Sequence, residues 1–109
     1  MRELLVSGLQ TMLRTEEGAH EANLRRVLTL MGEPDVERDA PPEDELAALI
    51  RRLHLDIASY TVLVRLAEAL EVDPEAVRLL RLNMEEDEYA LERTEAELAR
   101  RLAEATAGR

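Results

Sequence analysis

Apolar residues recur at steps of three and four along most of the chain. No proline interrupts Arg2 to Met31, and Leu5, Leu9, Leu13, Glu17, His20, Leu24, Val27 and Met31 follow one another at that spacing. Such residues share one side of a helix, so the pattern predicts a single helix over residues 2–31, about 45 Å long at ~1.5 Å per residue. Gly32-Glu33-Pro34-Asp35 ends it with a C-terminal glycine and a following proline. A polar linker is expected over 32–41. Pro42, Glu43, Asp44 and Glu45 then open a second helix, expected over 42–71, with negative charge where the helix dipole favours it. Its seam is Leu49, Leu53, Asp56, Tyr60, Leu63, Ala67 and Leu70. In Val72-Asp73-Pro74-Glu75, Asp73 suits an N-cap and Pro74 a first helical residue. A third helix is expected over 74–105, with Val77, Leu80, Met84, Asp87 or Glu88, Leu91, Glu95, Leu98 and Leu102 on its seam. No segment alternates with the two-residue period of a strand. The fold class is therefore all-α, with three long helices, and the short second connection makes helices two and three an antiparallel hairpin with helix one beside it. Three such helices close only a thin core, so a homodimer or higher homo-oligomer completing a bundle of four or more helices is expected.

Composition narrows the picture. The 109 residues fit one small domain spanning 1–109, and with no Phe or Trp and two Tyr its core must be aliphatic. The absence of Cys removes disulfides and thiolate ligands, so a metal site would have only oxygen and nitrogen donors. A net charge of −10, with the arginines spread along the chain, argues against nucleic acid as a partner. No apolar run approaches the length of a membrane span and no signal peptide is evident, so no membrane partner and a cytoplasmic location are expected.

Each expected helix has an acidic residue on its apolar seam near its middle: Glu17, with His20 three residues on; Asp56; and Asp87 or Glu88. An ionised carboxylate buried without a partner costs several kcal/mol, so each must be paired, hydrogen-bonded, protonated or bound to a cation. Glu-x-x-His aims a carboxylate and an imidazole from one face at one point, and carboxylates on facing helices can complete a cluster for iron or manganese. The candidate metal ligands are Glu17, His20, Asp56 and Asp87, with Glu16 and Glu88 as alternates if the faces are rotated. The opposing reading pairs Asp56 with Arg52, treats Glu17 and His20 as a half-exposed hydrogen bond, and takes Glu85-Glu86-Asp87-Glu88 as a solvated face. Tyr60 reads as a core residue with its hydroxyl hydrogen-bonded, and no phosphate-binding glycine loop or cysteine nucleophile is present.

His54-Leu55-Asp56-Ile57-Ala58-Ser59-Tyr60, with Leu63, Leu66-Ala67-Glu68 and Leu70, resembles the third helix of the YciF-like, rubrerythrin-related ferritin-like family. Ala76-Val77, Leu79-Leu80 and Asn83-Met84-Glu85-Glu86-Asp87 are similar to its acidic last helix, and His20, Leu24, Val27 and Gly32-Glu33-Pro34 to the end of its second. The resemblance implies a ferritin-like bundle, dimeric association, metal binding and a role linked to stress, with Asp56 at the family's midpoint acidic position. This chain is too short for the family's additional early helix, and Glu88-Tyr89-Ala90-Leu91 lacks the histidine of a Glu-x-x-His on the last helix. Ser59 to Pro74 also resembles the closing helices of repressor-type helix-turn-helix domains, but those follow short helices and net charge opposes that reading. The expectation is a ferritin-like helical bundle holding iron or manganese between helices, with no enzyme activity claimed. The alternative is a metal-free helical interaction module.

Overall fold

A computed structural model describes residues 1–37 and 46–107. The described residues form four helices and no strand: α1 (Arg2–Leu13), α2 (Gly18–Leu30), α3 (Leu46–Ala69) and α4 (Pro74–Ala107). The chain is all-α as expected, but four helices replace three.

The difference lies at residues 14–18. Glu17 takes an extended conformation (φ −131°, ψ 162°) as N-cap of α2, and Gly18 follows at φ +59°, where a side chain would be strained. The expected helix over 2–31 breaks there and folds back on itself. Arg2 reaches the far end of α2, donating from Nη2 to the Met31 carbonyl at 2.6 Å, and Gln10 donates to the Pro34 carbonyl at 3.1 Å. Folding back lets Leu5, Leu9, Met12 and Leu13 of α1 join Leu24, Val27 and Leu28 of α2 in one core. Fully burying each such side chain stabilises by about 1.5–3 kcal/mol. Gly8 permits the close approach of α1 to α3, since a Cβ there would stand 2.6 Å from Leu63 Cδ2.

The other boundaries follow local chemistry. Gly32 at φ +72°, with Glu33 N–H bonded to the Leu28 carbonyl at 2.9 Å, closes α2 with a left-handed cap. Asp73 Oδ1 accepts from Glu75 N–H at 2.9 Å and Pro74 is the first residue of α4. Of the expected second helix, residues 46–69 are observed as α3, while residues 42–45 and most of the linker's second half, 38–41, lie outside the described residues. No described helix is long and apolar enough to cross a membrane.

Two helical hairpins pack face to face: α1 lies against α2 and α3, and α4 against α2 and α3. With 12 and 13 residues, α1 and α2 cover only the half of the α3–α4 hairpin nearest its turn; α4, with 34 residues, runs on past them. The α1–α2 connection therefore sits halfway along α3 and α4, at the level of Asp56 and Asp87.

Candidate metal centre

The break at residues 14–18 decides which acidic group points inward. Glu16 is 8% exposed and buried against α3 and α4, whereas Glu17 turns outward at the start of α2. An unbroken helix would have put Glu17 on the seam; the extended backbone at Glu17 rotates the seam onto its neighbour. One turn into α2, His20 faces the same interior, and α4 brings Asp87 opposite it, 4% exposed. Donor atoms of Glu16, His20 and Asp87 all lie within 4.8 Å of one another. His20 Nδ1 stands 3.5 Å from Glu16 Oε2 and 3.5 Å from Asp87 Oδ1. For bonds of about 2.1 Å, tetrahedral ligand atoms are separated by roughly that distance.

Asp56 lines the same cavity from α3 but lies outside this closest group, half-buried. No ion pair joins it to Arg52 among the described residues; Arg52 acts on it only through space. Glu88 is exposed on the outer face of α4. The structure thus brings together His20, Asp87 and the alternate Glu16, keeps Asp56 and Glu17 on the cavity wall outside this closest group, and sets Glu88 aside.

The surrounding hydrogen bonds hold this arrangement. Tyr60, fully buried on α3, donates its hydroxyl to Glu16 Oε1 at 3.0 Å. Asn83 Nδ2 donates to the Tyr60 oxygen at 3.1 Å and to the His20 carbonyl at 3.2 Å, and Asn23 Nδ2 donates to Asn83 Oδ1 at 2.8 Å. One oxygen of Glu16 is thereby fixed, and the other is left facing His20. On the far side of the imidazole, Nε2 lies 2.7 Å from Glu86 Oε2. A histidine that gives one nitrogen to a carboxylate and aims the other at a cation is the usual support of a metal ligand.

Among the described residues, one buried side-chain oxygen has no protein partner. Asp87 Oδ2 is buried and accepts no hydrogen bond. Burial, and next the charge of Glu16, push the Asp87 carboxyl up to about 7, against the pull of His20. The hydrogen bond with Glu16 raises His20 to about 9, opposed by burial and helped by Asp87 and Glu86. Burial foremost, then Glu16, raises Asp56 to about 6. Three acidic groups thus crowd one half-closed space with a single imidazole between them. A buried Glu/His/Asp group of this kind can hold a metal ion.

Sequence reasoning gave Glu16 only as an alternate to Glu17 and missed the roles of Asn23, Asn83 and Glu86. Gly18, inside an otherwise helical pattern, is the signal that could have located the break. Comparison with protein-family models, with characterised proteins and with solved structures finds no match to this chain.

Proposed function

We propose that the chain is a cation-binding helical bundle that holds one divalent metal ion between Glu16, His20 and Asp87. The single observation that carries this reading is Asp87 Oδ2, a buried carboxylate oxygen with no partner among the described residues, beside two other candidate donors. A buried polar atom without a partner costs about 1–3 kcal/mol, more if charged. A cation bound at these donors relieves that cost, and His20 with Glu86 behind it supplies the oriented nitrogen. Imidazole and carboxylates without thiolate suit iron or manganese, and the resemblance to YciF-like proteins points the same way. Asp56 stands close enough to act on the charge of Asp87 and lends further negative potential.

Purification without chelator, followed by metal analysis and a melting curve with added Mn²⁺ or Fe²⁺, tests the reading. Bound metal should raise the melting temperature by mass action, about 2.7 kcal/mol at a hundredfold excess over Kd. An unchanged melt with no metal recovered refutes it.

A second reading has its own observation. Both ring nitrogens of His20 face carboxylates, so a protonated His20 could be the internal cation of a metal-free network. The chain is then the helical interaction module expected as the alternative, and chelators and metals leave its stability unchanged. In either case self-association remains part of the proposal: Tyr89, Leu98 and Leu102 are exposed on α4, whose later part α1 and α2 do not cover. Light scattering tests it, and a monomer mass at high concentration refutes it.

A further inference from the structure

Helices α1 and α2 cover the α3–α4 hairpin on the half nearest its turn, and among the described residues no element covers the groove on the other half. That groove is an open cavity of about 500 Å³, floored by Leu46, Leu49 and Leu53 of α3 and by Ala90 and Thr94 of α4. Further out on α4, Leu98 and Leu102 are 36% and 60% exposed. The chain measures 58 × 26 × 21 Å and has 6975 Å² of accessible surface. A compact monomer of 12.3 kDa exposes about 6,100 Å². The excess, roughly 900 Å², is close to the ~800 Å² that each partner gives to a standard protein interface.

The order of side chains along α4 says what fits there. Asp87, Ala90, Thr94, Glu97 and Arg101 recur at steps of three and four and so share the groove side of the helix. A two-fold axis across the helix keeps each flank of α4 against the same flank of its copy and reverses its order. Centred beside Thr94, such an axis sets Arg101 opposite Asp87, Leu98 opposite Leu91, and Arg93 opposite Glu97. His54 lies 3.4 Å from Glu95, which puts the same centre level with His54 on α3 and brings Arg52 opposite Asp56. Within one chain Glu97 is shared by Arg100 at 2.5 Å and Arg101 at 3.0 Å, exposed pairs of small worth, so pairing across the axis displaces little. The one like-charge approach is Glu104 to Glu86, offset by Arg100, which holds Glu104 at 2.6 Å. Resting on the self-association stated above, we propose that the groove is the interface between two copies of this chain, packed antiparallel about Thr94. Each copy then closes the acidic cavity of the other, with the partner's Arg101 arriving beside Asp87. The leucines supply the buried area, and the charge order fixes the direction and register.

The chain has no cysteine, so a single introduced thiol reports this face alone. All measurements are made in chelator, apart from any metal. The unaltered protein should sediment as a dimer. T94C, its helix content checked by circular dichroism, should be joined to its copy by a short bismaleimide, since packed helices lie about 8–10 Å apart. L82C, exposed on the outer side of α4, should not. R93E should weaken association by about tenfold or more, and R93E/E97R should restore it to within about threefold. A monomer at every concentration would overturn this interface and self-association together. A dimer in which L82C is joined as readily as T94C, or in which R93E/E97R is no tighter than R93E, would overturn the groove interface and leave self-association through another face.

Discussion

Replacing Asp87 by Asn removes one charge, keeps the side-chain shape, and should act in opposite directions on the metal-free and metal-loaded protein. The carboxyl of Asp87 is raised to about 7, first by burial and then by Glu16, from an ordinary value of 3.8. A raised acid is protonated more readily in the folded chain than in the unfolded one. Its protonated form therefore supports the fold fully below about pH 4, and that support is lost as pH rises through 7. At pH 8 the ionised group costs on the order of 4 kcal/mol as an upper bound, at 1.36 kcal/mol per pH unit. The amide must itself be buried and no longer faces His20 as an anion, so the net gain should be about 1–2 kcal/mol. For a domain of this size that is about 5–15 °C in melting temperature. Denaturation followed by circular dichroism in chelator should show D87N more stable than the unaltered protein at pH 8 and equal to it near pH 4. With Mn²⁺ in excess the order should reverse, because only the unaltered protein gains from the ion. If D87N were less stable at every pH in chelator, His20 or Arg52 would already satisfy the carboxylate, and the reasoning from an unpartnered oxygen would fail.

Other outcomes follow from the same geometry. Glu16→Gln should abolish Mn²⁺-induced stabilisation, whereas Glu17→Gln should retain it and change stability by less than about 0.5 kcal/mol; identical melts for the two would contradict the inward turn of Glu16. Tyr60→Phe removes the donor to Glu16 Oε1 and an acceptor for Asn83, so urea titration should show a loss of roughly 1–3 kcal/mol, and Mn²⁺ affinity should fall about tenfold or more. His20 is raised to about 9, mainly through Glu16, from an ordinary value of 6.5. Its contribution to the metal-free fold is therefore complete below about pH 6.5 and lost as pH rises to 9. His20→Gln should flatten that part of the stability profile, and an unchanged slope would show that another group titrates there.

Much of this was legible from the residues. The step of three and four gave helices at α3 and α4, and Asp73-Pro74 marked the start of α4 and Gly32 the end of α2 because caps depend on chemistry local to a few residues. The break between α1 and α2 was not legible from periodicity. Leu5, Leu9 and Leu13 keep in step with His20, Leu24 and Val27 because both helices lay their apolar faces on the same α3–α4 hairpin. Periodicity reports which face is buried, not whether the axis continues. On α4 the seam was read one position off at Met84, which is half-buried, while Asn83 is fully buried. An asparagine is a poor guess for a core position until the partners that satisfy it, Asn23 and Tyr60, are known to face it. Asp56 and Asp87 stood out because a carboxylate on an apolar stripe requires explanation. Glu16 stood only as an alternate, since its inward direction depends on one extended residue and one glycine.

The central claim is that Glu16, His20 and Asp87 converge around a cation. Crystals soaked in Mn²⁺ and measured for anomalous scattering test it most directly. The account predicts one strong peak per chain within about 2.0–2.3 Å of a Glu16 oxygen, His20 Nδ1 and an Asp87 oxygen. A peak confined to the outer face of α4 near Glu85 and Glu88, or no peak with Asp87 Oδ2 hydrogen-bonded to a protein group, would contradict it.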